Sequence, residues 1–329
     1  MSLQQWQQFL DTSAEKLPVF NTSAVTEHDN IICDLSHLGL LQIDGTDAVN
    51  FLQGQVTNDV KQLDGNIAHY SGYCSPKGRL LALFLAFAHH DHLHLQMPKA
   101  LIEPISKRLK MYVMRSKVNI QDVSDSIVKF GLCGKDAESL LKTLFPSIPQ
   151  QPYQLASHDN GAIIMLPGAK PRFEIFSDAK NAPELWTVLS QHCKTVAADY
   201  WEWLEIQAGI PEVYPVTQEE FVPQMLNLDL LNGINFKKGC YTGQEIVART
   251  HYLGTVKRRT QLAHISVRPA VGDNVLNDKQ ETVGKVVRYA GAPNGGYDLL
   301  IEARLESVTA GALSIGNTAL EIQALPYVL

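Results

Sequence analysis

The chain has 329 residues, room for about two domains of roughly 150 residues, and 45% apolar and 19% charged residues exclude a disordered protein. Lys and Arg number 28 against 34 Asp and Glu, and the net charge of −6 excludes a generally basic nucleic-acid binder. The longest apolar run, Leu80 to Ala88, is nine residues, far below the roughly 20 of a membrane helix, and residues 1–10 show no secretory pattern, so a cytosolic protein without a membrane partner is expected.

In chain order, residues 38–44 predict a strand ended by Gly45, and Thr46 caps a helix reaching about Gln53. Strands follow at 67–74 and 79–88 around the turn Pro76-Lys77-Gly78, and another at 93–97. A helix over about 99–111 and a strand near 117–122 complete a β-α-β-β-β-α-β order. A second α+β unit follows, with strands at 127–133, 162–166 and 172–176 and helices at 136–144 and about 183–192. A further helix spans 198–208 and ends at Gly209 and Pro211. From Lys257 onward, short alternating segments separated by Gly and Asn-Asp turns predict a small β-barrel or sandwich.

The expected organisation is a first α+β domain at 1–122, with 198–252 as a candidate to complete it, and a second at 123–197. Residues 198–252 form the motif-bearing segment, and 253–329 form the C-terminal β domain.

Five cysteines at 33, 74, 133, 193 and 240 form no C-x-x-C pair, which argues against a disulfide framework, a zinc site or a cluster held by this chain alone. His90, His92 and His94 could share a strand face around a metal. With no carboxylate or thiol framework beside them, they read instead as a solvent-facing hairpin turn, and no metal is expected. Two stretches, 99–117 and 237–259, each hold six basic residues and one acid. The first reads as a solvated face; the second carries a motif and is the better candidate for a local positive field.

That motif is Phe236 to Arg249, FKKGCYTGQEIVAR. Thr242-x-x-Glu245 reads as a capping box opening a helix, with Thr242 at the N-cap and Cys240 two residues before it. The helix's positive end and the preceding Lys237 and Lys238 would favour the Cys240 thiolate. Gly239 and Gly243 would allow a ligand to approach the backbone. Cys240 is thus either a ligand-facing thiol or a small packing residue in a glycine-shaped loop, and spacing alone leaves both open.

KGCYTGQE, residues 238–245, resembles the signature of the YgfZ family of folate-binding proteins, which includes the mitochondrial factor that matures iron–sulfur proteins. The resemblance extends to Phe51–Asp59 (FLQGQVTND), to Phe221–Gln224, Asn227-Leu228, Gly233 and Phe236, to Trp201 with the following QAGIP, and to Leu325-Pro326-Tyr327. It implies the glycine-cleavage T-protein fold: two ferredoxin-like α+β units plus a C-terminal β-barrel around a central folate pocket. It also implies tetrahydrofolate or a derivative as cofactor. Cys240 becomes the functional thiol, and Trp201, Lys238, Gly239, Tyr241, Gly243, Gln244 and Glu245 the folate-site residues. The implied partners are iron–sulfur enzymes, tRNA-methylthiolating enzymes among them, and tRNA itself.

Two departures stand out. A second folate-contacting tryptophan of the family falls near Leu38. The T-protein's essential aspartate follows a Gly-Gly pair on a central strand, and the matching stretch Lys77 to Ala82 has no carboxylate. The resemblance therefore implies a non-enzymatic folate-binding factor supporting tRNA methylthiolation and iron–sulfur enzyme maturation or repair. The alternative is a folate-dependent transferase with Cys240 as nucleophile and His251 as its base. Direct tRNA binding by the basic stretches is a third reading, weakened by the net charge and the lack of a stacking-aromatic motif.

Overall fold

In the computed structural model, residues 3–14, 19–26 and 28–329 are described; of the N-terminal stretch read for a signal, residues 1 and 2 lie outside them. Eight α-helices occur among the described residues: α1 Leu3–Ala14, α2 Ala48–Gln53, α3 Lys99–Val113, α4 Ala137–Leu144, α5 Ala182–Ser190, α6 Ala198–Gln207, α7 Gln244–Tyr252 and α8 Leu305–Ala310. The chain divides into two compact units. Unit 1 comprises residues 1–49, 61–69 and 85–201, and unit 2 comprises 50–60, 70–84 and 202–329.

Unit 1 holds a seven-stranded sheet in the order Val19–Phe20, Lys194–Val196, Ile31–Asp34, Ile127–Cys133, Arg172–Asp178, Gly161–Leu166, Leu155–His158. The first three strands run parallel and the other pairs are antiparallel. Its first and third strands come from residues 19–34, so this sheet draws on both sides of the 122/123 division drawn from the sequence. One face is apolar by alternation: Val128, Phe130, Leu132, Phe173 and Ile175 pack against Trp6 of α1, Leu141 of α4 and Trp186 of α5. Trp6 stacks on Phe130 and donates its indole N–H to Asp34 at 2.8 Å, which satisfies the polar edge of a ring otherwise sealed in the core.

A second unit 1 sheet places Leu38–Asp44 between His92–Pro98 and Asn119–Asp122, with Leu85–His89 beyond 92–98. Helix α3 covers it through Leu101, Ile102, Ile105 and Leu109. Gly39 permits that contact, because a Cβ there would overlap the Ile102 side chain.

In the histidine-rich hairpin, His90 is exposed at the turn as the spacing suggested and His92 is half-buried, but His94 does not face solvent. His94 is buried, stacked on Phe87 with ring centroids 5.0 Å apart, and His89 meets Ser157 Oγ at 2.6 Å. Strand 92–98 is covered on both faces, so alternation does not carry its imidazoles outward. Burial, with the neighbouring imidazoles adding repulsion, pushes the His94 pKa down to about 3 and that of His89 to about 4. Among the described residues, no group of three or more His, Cys, Asp or Glu could hold a metal ion. A folded-state pKa below the unfolded 6.5 means that the unfolded chain takes up the proton first, so stability is lost as pH falls below about 6.5. By pH 4.5, His94 should cost unit 1 roughly 2–3 kcal/mol. Melting curves at pH 7 and 4.5 for wild type and His94→Phe check this: the variant should lose less stability on acidification, and an equal loss would remove His94 as the cause.

Unit 2 contains the hairpin formed by Tyr70–Cys74 and Leu80–Phe84 and a nearly closed, barrel-like seven-stranded sheet. That sheet runs Thr318–Ala319, Ser314–Ile315, Asn274–Leu276, Thr282–Gly291, Tyr297–Arg304, Arg258–Ile265, Glu321–Gln323. Its interior is Ala263, Ile265, Val275, Val286, Leu299 and Ile301. Among the described residues, no helix is long and apolar enough to cross a membrane.

Candidate functional site

The Cys240 motif lies in unit 2, on the loop that leads into α7. The capping box read from the sequence does not form. Helix α7 starts at Gln244, its N-cap is Gly243 at φ 80°, and no side chain caps it. Close packing decides the path. A Cβ on Gly243 would overlap Ser75 O, and one on Gly78 would lie 2.7 Å from Ile246 Cβ. Glycine's left-handed conformation is required here, and that moves Thr242 out of the cap. Gln244 is half-buried in the first turn of α7, and Glu245 beside it is exposed.

Lys238 is not aimed at the thiol. Its ammonium donates to three backbone carbonyls, Gln53 O at 2.7 Å, Val56 O at 2.5 Å and Asn58 O at 2.8 Å, which use all three of its N–H groups. The Tyr241 ring lies 5.2 Å from the same nitrogen. Burial lowers the Lys238 pKa to about 8, with Asp59 opposing, so the group remains mainly cationic at neutral pH. Burial also pushes the Tyr241 hydroxyl upward.

The three accepting carbonyls belong to the FLQGQVTND segment, whose other polar groups also turn inward. Asn58 Nδ2 donates to Tyr70 O at 2.9 Å and Asn232 O at 2.7 Å. Thr57 Oγ1 donates to Gly233 O and accepts from Gly72 N, both at 2.7 Å. Three segments singled out in the sequence, 51–59, 227–233 and 238–245, thus meet in one hydrogen-bonded assembly.

On this anchored loop Cys240 is exposed, while Cys33, Cys74 and Cys133 are buried and Cys193 is half-buried. Burial raises Cys74 and Cys193 to about 12. Gly239 is exposed as well, and a Cβ there would meet nothing within 4 Å. His251 sits near the end of α7 with its ring stacked on Phe236, centroids 3.7 Å apart.

Half of the second basic stretch is engaged internally. Lys238 is caged, Arg258 pairs with Glu302, and Arg259 pairs with Asp229 at 2.5 Å. Lys237, Arg249 and Lys257 are exposed, so about half of the positive charge expected there stays at the surface.

Trp201 lies in unit 1, apart from the motif in the chain's division. It is 1% exposed, and its ring rests on Gly131, where a Cβ would overlap it. The Arg172 guanidinium carbon lies 5.1 Å from the ring centroid. The indole N–H is buried without a hydrogen-bond partner. The same face of the seven-stranded sheet carries a polar group that the sequence reading missed. Glu174, opposite Gly131 in the register, is 2% exposed and accepts from Gln96 Nε2 at 2.9 Å. Gln96 Oε1 is buried and unpartnered. Lys129, also 2% exposed, is lowered to about 8 by burial, with Asp34, Glu174 and Asp122 opposing and Lys99 adding to the shift. Leu38 is buried in unit 1 as ordinary core.

Comparison with known proteins fits this architecture. Residues 7–167 match the model of the GCVT N-terminal domain. The tRNA-modifying protein YgfZ of Sodalis glossinidius (strain morsitans) is 30% identical over 91% of this chain and 93% of its own length. That of Colwellia psychrerythraea (strain 34H / ATCC BAA-681) is 31% identical over 97% and 98%. The chain belongs to the YgfZ family. A solved structure, the glycine cleavage system aminomethyltransferase T from Bartonella henselae, superposes with TM-score 0.76 over 93% of this chain and 88% of its own, at 16% identity. The fold is therefore T-protein-like, as the family resemblance implied.

Proposed function

We propose that the chain is a cytosolic, folate-binding accessory protein that supports tRNA modification. Tetrahydrofolate or a derivative is its cofactor. Iron–sulfur enzymes, tRNA-methylthiolating enzymes among them, are the proteins it helps to mature or repair. The relatives' shared description as tRNA-modifying proteins supports the process. The buried polar face beneath Trp201 carries the folate part.

Folate's pterin ring is planar and offers both N–H donors and ring acceptors. The residues present fit it: the Glu174 carboxylate and the unpartnered Gln96 Oε1 can accept, and the unpartnered Trp201 N–H can donate. Bound folate would supply a one-carbon carrier. In this chain Lys129 would balance the charge of Glu174, and the indole would present its ring to the ligand. The non-enzymatic reading is supported by the turn at Lys77 to Ala82, which has no carboxylate to position a reacting amine; its Arg79 is tied to the carbonyls of Glu219 and Glu220. The transferase reading is favoured by the exposure of Cys240, but its base His251 is held against Phe236.

Calorimetric titration with tetrahydrofolate tests the site. Glu174→Gln should weaken binding about tenfold or more, since a charged acceptor contributes roughly 1.5–3 kcal/mol. Trp201→Phe, which keeps the packing and removes the N–H, should weaken it several-fold. Trp201→Phe should melt close to wild type, and Glu174→Gln, which takes a counter-charge from buried Lys129, should melt lower, so its affinity is compared at a temperature where it is fully folded. Wild-type affinity in both variants would place folate elsewhere.

A further inference from the structure

We infer that the outer face of α3 is a docking surface for RNA. The inference deepens the proposed link to tRNA modification and is independent of where folate binds. Helix α3 buries Leu101, Ile102, Ile105, Ser106 and Leu109. Its opposite stripe carries Lys107, Lys110, Met111 and, just past the helix end, Met114 and Arg115, all exposed. Met111 is 67%, Met114 88% and Tyr112 40% exposed.

The charge on this stripe lies on one exposed helix face, whereas in the second basic stretch Lys238 is caged and Arg258 and Arg259 are paired. Lys107 has a fully solvated pairing with Glu103, worth little in water. Among the described residues, Lys110, Arg115 and Lys117 have no ion-pair partner. With −6 on the chain as a whole, a polyanion is drawn only where basic residues are concentrated. A rise of about 1.5 Å per residue sets Lys110 roughly 4.5 Å along the axis from Lys107, and Arg115 and Lys117 follow just past the helix end, a row of charges that can meet several backbone phosphates. The exposed thioethers of Met111 and Met114 add apolar faces against which unstacked bases can pack.

The test measures binding of an in-vitro transcribed tRNA to the full chain at 50 and 200 mM salt. Wild type should bind and weaken steeply with salt. Lys107→Ala/Lys110→Ala/Arg115→Ala should bind about tenfold or more weakly at 50 mM, with a log–log salt slope flatter by roughly 2 to 3. Lys142→Ala/Lys180→Ala/Lys279→Ala, the same charge change at exposed lysines elsewhere, should bind like wild type. Met111→Ala/Met114→Ala should weaken binding several-fold and leave the slope unchanged. The inference is overturned if wild type does not bind at 50 mM, if the two triple variants weaken alike, or if a polyglutamate peptide binds as tightly as tRNA, which would assign the face to an acidic protein. Tetrahydrofolate titration of the α3 triple variant separates the two readings: retained folate binding shows that a failure here leaves the folate reading standing.

Discussion

Replacing Lys238 by Met should cost unit 2 roughly 3 kcal/mol or more and loosen the Cys240 loop. The ammonium is the hydrogen-bond donor to Gln53 O, Val56 O and Asn58 O. Methionine fills a similar volume but leaves three carbonyls without it, and each buried acceptor deprived of its partner costs about 1–3 kcal/mol unless water enters. Lys238→Arg should not rescue. Three converging carbonyls match a compact point charge with three hydrogens, whereas a planar guanidinium points its donors outward in a fork. Urea unfolding of the three proteins measures the cost. A Met variant within about 0.5 kcal/mol of wild type would mean that the cage is not what anchors the loop.

Cys240→Ser should leave the fold intact and abolish function. The side chain is exposed, so exchanging sulfur for oxygen disturbs no packing, and serine keeps the size while removing the soft nucleophile and metal ligand. In a strain lacking the protein, wild type should restore methylthiolated tRNA and the serine variant should not, although it should still bind folate. Iodoacetamide should modify Cys240 well before the other four cysteines, three of which are buried and one half-buried. Full complementation by a folded serine variant would leave the motif a purely structural role.

How legible these features were in the sequence depended on whether local pattern and tertiary environment agree. Strand 127–133 and the long amphipathic helix α3 were readable, because apolar spacing there reflects one buried face. The short strands Val19–Phe20 and Lys194–Val196 were not: two or three residues carry no period, and their pairing with Ile31–Asp34 comes from far along the chain. The capping box failed for a different reason. T-x-x-E is a local signal, and the close approach of Gly243 to Ser75 and Gly78 overrode it.

The polar face beneath Trp201 shows the same limit most clearly. Val128-Lys129-Phe130 and Arg172-Phe173-Glu174-Ile175 alternate like strands with one wet side. Here that side is covered by Trp201, so Lys129, Arg172 and Glu174 are buried rather than solvated. Alternation reports that two faces differ, not that the polar one meets water. Charged residues at alternating positions opposite a glycine were the available clue, since Gly131 marks the place where another element comes close.

The decisive measurement is to incubate the full chain with tetrahydrofolate and with methylene-tetrahydrofolate, separate bound from free, and identify the folate by chromatography. An accessory folate-binding protein should retain about one equivalent and return it chemically unchanged, however long the incubation. Failure to retain either folate, or conversion of several equivalents per chain to a new folate species, would contradict it.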